Sequence, residues 1–171
     1  MPLVSANVKA TGPAPWKTSL TLQSAGLTIA LTGVCIAEKT GPGLQLVDAE
    51  TSLRELIPEL ARKHDAVILL CYGDESSCLK LISAFPELSG VLAAGTSQPI
   101  PPKLIDDRTV LASTANKGKF LARLKLSGRR HAWRLDAGEI VELSENFADD
   151  KEQLAVLAAY KVRLKQEKLD P

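Results

Sequence analysis

Two cysteines seven residues apart, Cys71 and Cys78, are the side chains of this 171-residue chain best suited to nucleophilic or soft-metal chemistry. Cys71 ends the apolar run Asp65-Ala-Val-Ile-Leu-Leu-Cys71-Tyr72-Gly73, and Cys78 falls on the helix expected to follow. A thiolate pair facing one pocket would take a soft metal or act as a redox switch. Thiols that pack as small hydrophobes account for the same residues without chemistry. A second group lies further on, where Gly95, Thr96, Ser97 and Gln98 follow an apolar run and Asn116, Lys117 and Lys119 occupy a later turn. Backbone amides near Gly95, with the lysine ammonium groups, would hold an anion such as phosphate or a carboxylate. A polar loop of turn-forming residues is the plainer account. The candidate ligand-binding cleft is therefore Cys71, Tyr72, Gly95, Thr96, Gln98, Asn116 and Lys117. The only histidines are His64, at an expected helix end, and His131, in a basic turn; neither suggests an activating base for a thiol. The pairs Asp106-Asp107 and Asp149-Asp150 read as turn chemistry and helix capping, and Trp16 and Trp133 as core or interface anchors.

The elements that must position these residues alternate between β-like and helical patterns, the signature of an α/β layer architecture. Strands are expected over Leu3–Val8, Ser19–Ser24 and Leu27–Ile36, the last apolar enough for a central strand. Ser52 and Glu55 form a capping-box pattern, and Leu53, Leu56, Ile57 and Leu60 recur at helical spacing, with Pro58 as a kink. A strand over Ala66–Leu70, a helix over Glu75–Ala84 and a short strand over Val91–Ala94 come next. Pro99-Ile100-Pro101-Pro102 reads as a loop after a strand end, where α/β proteins keep their sites. Strands over Thr109–Ser113 and Phe120–Leu126 precede a strand or hairpin pair over Trp133–Leu143 that turns at Asp136-Ala137-Gly138. A last helix runs from Asp150 to about Glu167, with Leu154, Leu157, Tyr160 and Leu164 on one face.

Composition sets the limits. An apolar fraction of 45% and a charged fraction of 24% are those of a soluble globular domain with a core. Lys and Arg number 21 against 20 Asp and Glu, so no electrostatic reason exists to expect nucleic acid or an anionic membrane as partner. The basic run Arg123 to Arg130 alternates with Leu124 and Leu126 as one solvated strand face would. The longest apolar stretch, Leu27 to Ala37, is far short of the ~20 residues needed to span a bilayer. Met1-Pro2 is followed by mixed polar sequence without a secretory pattern, so the chain as given reads cytoplasmic. Three cysteines without CxxC spacing fit a reducing compartment.

Five segments, in order, resemble the second half of the calcineurin-like metallophosphoesterase domain of 5′-nucleotidases. Leu3-Val4-Ser5-Ala6-Asn7-Val8 is similar to the Leu-Ser-Ala-Asn-Val strand that follows the family's Gly-Asn-His-Glu. Gly26 to Gly33 resembles its Gly-Val-Lys-Ile-Gly-Val-Ile-Gly strand. Asp65 to Gly73 resembles a strand ending in Leu-Ser-His-x-Gly, and Gly90 to Pro99 one ending in Gly-His-x-His. Lys117 to Leu124 is similar to Gly-Lys-Tyr-Leu-Gly-Arg-Leu. In the family three late histidines hold part of a two-metal site. Here Cys71 or Tyr72 falls at the first, and Thr96 and Gln98 at the other two. The earlier Asp-x-His and Gly-Asn-His-Glu have no counterpart in these residues. A two-metal phosphoesterase needs several imidazole and carboxylate ligands, so activity by this chain alone is not expected.

The resemblance implies an α/β fold, a mixed β-sheet with flanking helices, forming half of a metallophosphoesterase-type sandwich over 1–148, with a C-terminal helix over 149–171 packing on it or extending from it. The expected function is a non-catalytic remnant or accessory module acting through protein association. The alternatives are a phosphoesterase completed by another chain, or a small-anion or thiol-metal binding module. No cofactor is expected, the alternative being a divalent metal at a site rebuilt near Cys71. Half a sandwich leaves an apolar sheet face, so a homo-oligomer or a covering chain is the expected partner, with no nucleic acid and no membrane. Members of the family are usually exported, against the cytoplasmic reading of the chain as given.

Overall fold

A computed structural model describes residues 2–37, 40–115, 117–129 and 132–167. Its centre is a six-stranded mixed sheet. The four inner strands, β3 (Leu27–Cys35), β5 (Ala66–Tyr72), β6 (Gly90–Ala94) and β8 (Thr109–Ser113), are parallel. β2 (Ser19–Ser24) and β7 (Ile100–Ile105) run antiparallel along the two edges, giving the order β2-β3-β5-β6-β8-β7. Helices α1 (Ala49–Leu53), α2 (Leu56–Lys63) and α3 (Glu75–Ala84) lie in the crossovers between β3, β5 and β6. Parallel neighbours demand such crossovers, since no tight turn can join them.

Side chains alternate across each strand, and the helices take one set. Ala30, Val34, Val67, Leu69, Cys71, Val91, Ala93 and Leu111 are buried with Leu53, Ile57, Leu60, Leu81 and Ile82 in one core. The other set is Leu20, Leu22, Ile29, Leu31, Ala66, Ile68, Leu70, Tyr72, Leu92, Ala94, Val110 and Ala112, of which Ala66, Val110 and Ala112 are buried. None is charged, and Leu22, Leu70, Tyr72 and Leu92 are 46, 36, 54 and 39% exposed. This open face meets only local cover. The hairpin of β9 (Phe120–Arg129) and β10 (Ala132–Glu142) lies beside β7, and buried Trp133 donates its indole N–H to the Asp65 carbonyl at 3.3 Å. β10 approaches β7 closely at Gly138, where any Cβ would stand 2.6 Å from Pro102 Cβ.

The structure corrects three sequence expectations. The expected strand over Leu3–Val8 is only β1 (Val8–Ala10), paired with β4 (Leu44–Leu46). Ahead of it, the side chain of Asn7 takes the Cys35 backbone, and Ala6 N–H donates to Gly33 O at 2.7 Å. The single helix expected around Ser52 is two. Asp48, not Ser52, caps α1 by accepting from Thr51 N–H at 2.7 Å, and the break at Arg54 and Glu55 places Pro58 in the first turn of α2. There its missing N–H has no helical partner to lose. Pro101 and Pro102, expected in a loop, lie in β7. They are tolerated because β7 is an edge and its register slips between Ile100 and Lys103. Of the two readings of Trp133–Leu143, the single strand holds, with a bulge between Leu135 and Ala137 in place of the hairpin turn. The expected basic turn at His131 lies outside the described residues.

The last described element is α4 (Lys151–Gln166), capped by Asp150 as expected, with no buried residue. Leu154, Leu157 and Tyr160 are each about half exposed, and Leu164 is half-buried. No described helix is long and apolar enough to cross a membrane.

The β2–β3 turn supplies a test of local strain. Ala25 (φ 51°) and Gly26 (φ 78°) form a two-residue turn with positive φ at both positions, the type I′ geometry. Alanine is poorly suited there and asparagine well suited. Ala25→Asn is expected to stabilise the domain by about 0.5–1 kcal/mol, read as a rise of about 1–4 °C in the melting midpoint.

Candidate functional site

The described candidate residues lie at or beyond the carboxyl ends of β5, β6 and β8, but face different ways. Alternation from Val67 and Leu69 turns Cys71 toward the helices, where it is 1% exposed. Asp74 caps α3, its carboxylate accepting from Ser77 N–H at 2.8 Å. That start places Cys78 in the first helical turn, fully buried. The two thiols lie close enough for each to perturb the other. Beside Cys78 and buried, the Cys71 thiol is pushed far above the ordinary thiol range, with the charges of Cys78 and Asp74 adding to the effect. The Cys71 thiol pulls Cys78 down, against burial and the carboxylates of Asp74 and Glu75. Cys35, at the end of β3, is half-buried, and all three thiols are free.

Tyr72 points to the opposite, open face. Its ring lies against Gly95, where an added methyl group would meet Cε2 at 3.5 Å. Beside it a groove of about 440 Å³ runs between Val4, Ser5 and Val8 on one side and Leu70, Tyr72 and Leu92 on the other. Thr96 is buried, and its hydroxyl shares a 2.7 Å hydrogen bond with the buried Ser113 hydroxyl, which also accepts from Ala115 N–H at 3.1 Å. Thr96 thus fastens the end of β6 to the end of β8. Gln98 and Lys117 are exposed, and Asn116 lies outside the described residues. So Tyr72 and Gly95 meet, Cys71 meets Cys78, and Thr96 meets Ser113.

Sequence reasoning passes over Asn7 as a site-forming residue. It is 1% exposed, and its amide is fully used: Nδ2 donates to Cys35 O at 2.8 Å and Val47 O at 3.0 Å, while Oδ1 accepts from Cys35 N–H at 2.8 Å. It walls a second groove of about 420 Å³ with Cys35, Asp48, Glu50, Ser77 and Lys80. The available signal is an asparagine amid Ala6 and Val8 in an otherwise apolar run, since a buried amide must find partners.

These residues do not fit a divalent-metal centre. Among the described residues no three His, Cys, Asp or Glu side chains stand where they could hold one ion. Cys71 is turned to Cys78, and the Thr96 hydroxyl is engaged by Ser113. No catalytic step through a metal follows from this arrangement.

No family model and no curated protein matches the chain. Solved structures do. A sulfate thiohydrolase SoxB from Thermus thermophilus, in complex with glycerol, superposes with a TM-score of 0.75 at 18% identity, over 98% of this chain and 32% of its own. A putative 5′-nucleotidase from Staphylococcus aureus, in complex with alpha-ketoglutarate, gives 0.71 at 15% identity, over 88% and 35%. A 5′-nucleotidase precursor, also from Thermus thermophilus, gives 0.63 at 18% identity, over 96% and 39%. The chain has the fold of a partial 5′-nucleotidase-like domain and spans about a third of the length of the structures it matches.

Two measurements check the site. Cys35 is expected to react with iodoacetamide at least about tenfold faster than Cys71 or Cys78, because both of those are buried and Cys35 is not. Timed labelling with mass-spectrometric mapping reads this directly. Asp48 and Asp74, bonded to Thr51 and Ser77, are held below the ordinary 3.8. A depressed carboxylate stabilises the fold above its unfolded value and loses that contribution as the pH falls through its folded value. Acid unfolding below pH 3.8 is therefore expected to be shallower in Asp48→Asn/Asp74→Asn, followed by circular dichroism.

Proposed function

We propose that this chain is a non-catalytic module of 5′-nucleotidase-like fold that acts through protein association. The observation that carries the reading is the open face of the central sheet. Parallel sheets occur with both faces covered, yet here Leu70, Tyr72 and Leu92 are 36, 54 and 39% exposed with no charge among their neighbours on that face. An apolar patch of this kind marks an interaction site. Its natural occupant is an apolar layer, from a second copy or another polypeptide. The poverty in histidine supports the non-catalytic part: two in 171 residues are too few for a two-metal centre within these residues. The three free thiols suit a reducing, cytoplasmic setting.

The one-third span of the matched structures favours a second reading, in which another polypeptide supplies the ligands of a phosphoesterase. A small-anion site around Tyr72, Gly95, Thr96, Gln98, Asn116 and Lys117 would then lie at its margin.

Elemental mass spectrometry on untagged protein separates these. Less than about a tenth of an equivalent of any transition metal is expected. Near-stoichiometric metal, lost in Cys71→Ser, overturns the non-catalytic reading in favour of a site rebuilt around a thiolate. For association, the isolated chain is expected either to exceed its 18.3 kDa mass in light scattering or to bind an apolar dye that Leu70→Asn/Leu92→Asn releases. A monomer that binds no such dye overturns it.

A further inference from the structure

The six-stranded sheet treats its two edges differently. β7 carries Pro101, Pro102 and Lys103 and lies beside the β9–β10 hairpin, devices that stop another strand from adding. β2 has none of these: Ser19-Leu-Thr-Leu-Gln-Ser24 contains no proline and no charge. Its geometry fixes which groups are free. A two-residue turn makes Ser24 and Leu27 a hydrogen-bonded pair, so with unbroken register Leu22 with Ile29 and Leu20 with Leu31 are bonded too. Ser19, Thr21 and Gln23 then turn their N–H and C=O groups outward. Among the described residues no backbone group hydrogen-bonds to them.

We propose that a second copy of this chain pairs with this edge, β2 against β2 and antiparallel, with Thr21 on the two-fold axis. In that register Ser19 bonds Gln23 of the other copy, Thr21 bonds Thr21, and Gln23 bonds Ser19, so every outward group finds a partner. The side chains agree with the backbone. Leu20 of one copy comes beside Leu22 of the other on the open face, which gives the 46% exposed Leu22 an apolar neighbour. On the helix side Thr21, whose hydroxyl shares a 2.9 Å hydrogen bond with His64 Nε2 of its own chain, comes beside its counterpart, and Ser19 meets Gln23. A two-fold axis closes the assembly at two copies, and the proline-bearing β7 edges prevent further growth. The contact is about 20 Å long and small, so the dimer is weak, with a dissociation constant in roughly the micromolar range. This pairing does not depend on what covers the open face.

Sedimentation equilibrium from about 5 to about 200 µM is the test. The expected result is a reversible rise toward twice the 18.3 kDa mass. Gln23→Pro removes an outward N–H without touching the β2–β3 ladder and is expected to weaken the dimer at least about tenfold. Val156→Lys, at an exposed position of α4, is expected to leave it unchanged. A wild-type chain that stays monomeric, or a folded Gln23→Pro that dimerises as well as wild type, overturns the proposal. So does a dimer abolished by Leu92→Lys but not by Gln23→Pro, which would instead locate association on the open face. Hydrogen exchange serves if the proline variant fails to fold. The Thr21 and Gln23 amides are expected to gain protection with concentration, and concentration-independent exchange overturns the pairing.

Discussion

Everything in this fold answers to the parallel pairing of β3, β5, β6 and β8. Parallel strands force crossovers, the crossovers carry helices, and α1, α2 and α3 all lie in the connections that bury one face. The same alternation that places Val67, Leu69 and Cys71 under the helices places Ile68, Leu70 and Tyr72 on the other side, where the chain supplies little cover. The fold thus has a finished half and an unfinished one, and the boundary between them is the sheet itself. Segments that do not join the ladder are fastened by side chains. Asn7 substitutes for strand pairing at Cys35 and Val47, and the Trp133 indole holds the outer hairpin to the start of β5.

Chemistry at the strand ends is limited by the same demand. A buried polar group must be satisfied, and the polar side chains at these ends spend their capacity on structure. Thr96 and Ser113 bond each other, Asp74 caps α3, Asn7 saturates its amide, and the two inner thiols share one contact. Tyr72 is left as the large side chain at these ends that is open to meet something else, and its ring lies on the open face beside Gly95.

The sequence is most readable where one periodicity rules. The apolar run ending at Cys71, the helix starting at Asp74 and the α4 cap at Asp150 all follow from local pattern. Expectation and structure part where tertiary position overrides local preference. Pro101 and Pro102 read as a loop because edge position is not visible in sequence. Ser52 and Glu55 carry a capping-box pattern, yet Asp48 caps the helix because Asn7 and Val47 pin the chain one turn earlier. Alternation tells only half of where Cys71 points: it sets Cys71 and Tyr72 on opposite faces without saying which face the helices will cover. Fold likeness to 5′-nucleotidases is legible through the order of five short segments, although identity with the solved structures is only 15 to 18% in the three compared.

The amide of Asn7 also sets a schedule. Its partners Cys35 and Val47 lie 28 and 40 residues later in the chain. On a ribosome the segment around Asn7 emerges before these partners, and its amide has nothing to bind until Val47 has followed. At about 5–20 residues per second that is an interval of roughly 2–8 s. During it Val4, Ala6 and Val8 are exposed beside an unsatisfied amide, so this segment waits for its place while the residues that will hold it are made. Chaperones that read short apolar segments would find this one at its most available before the sheet exists.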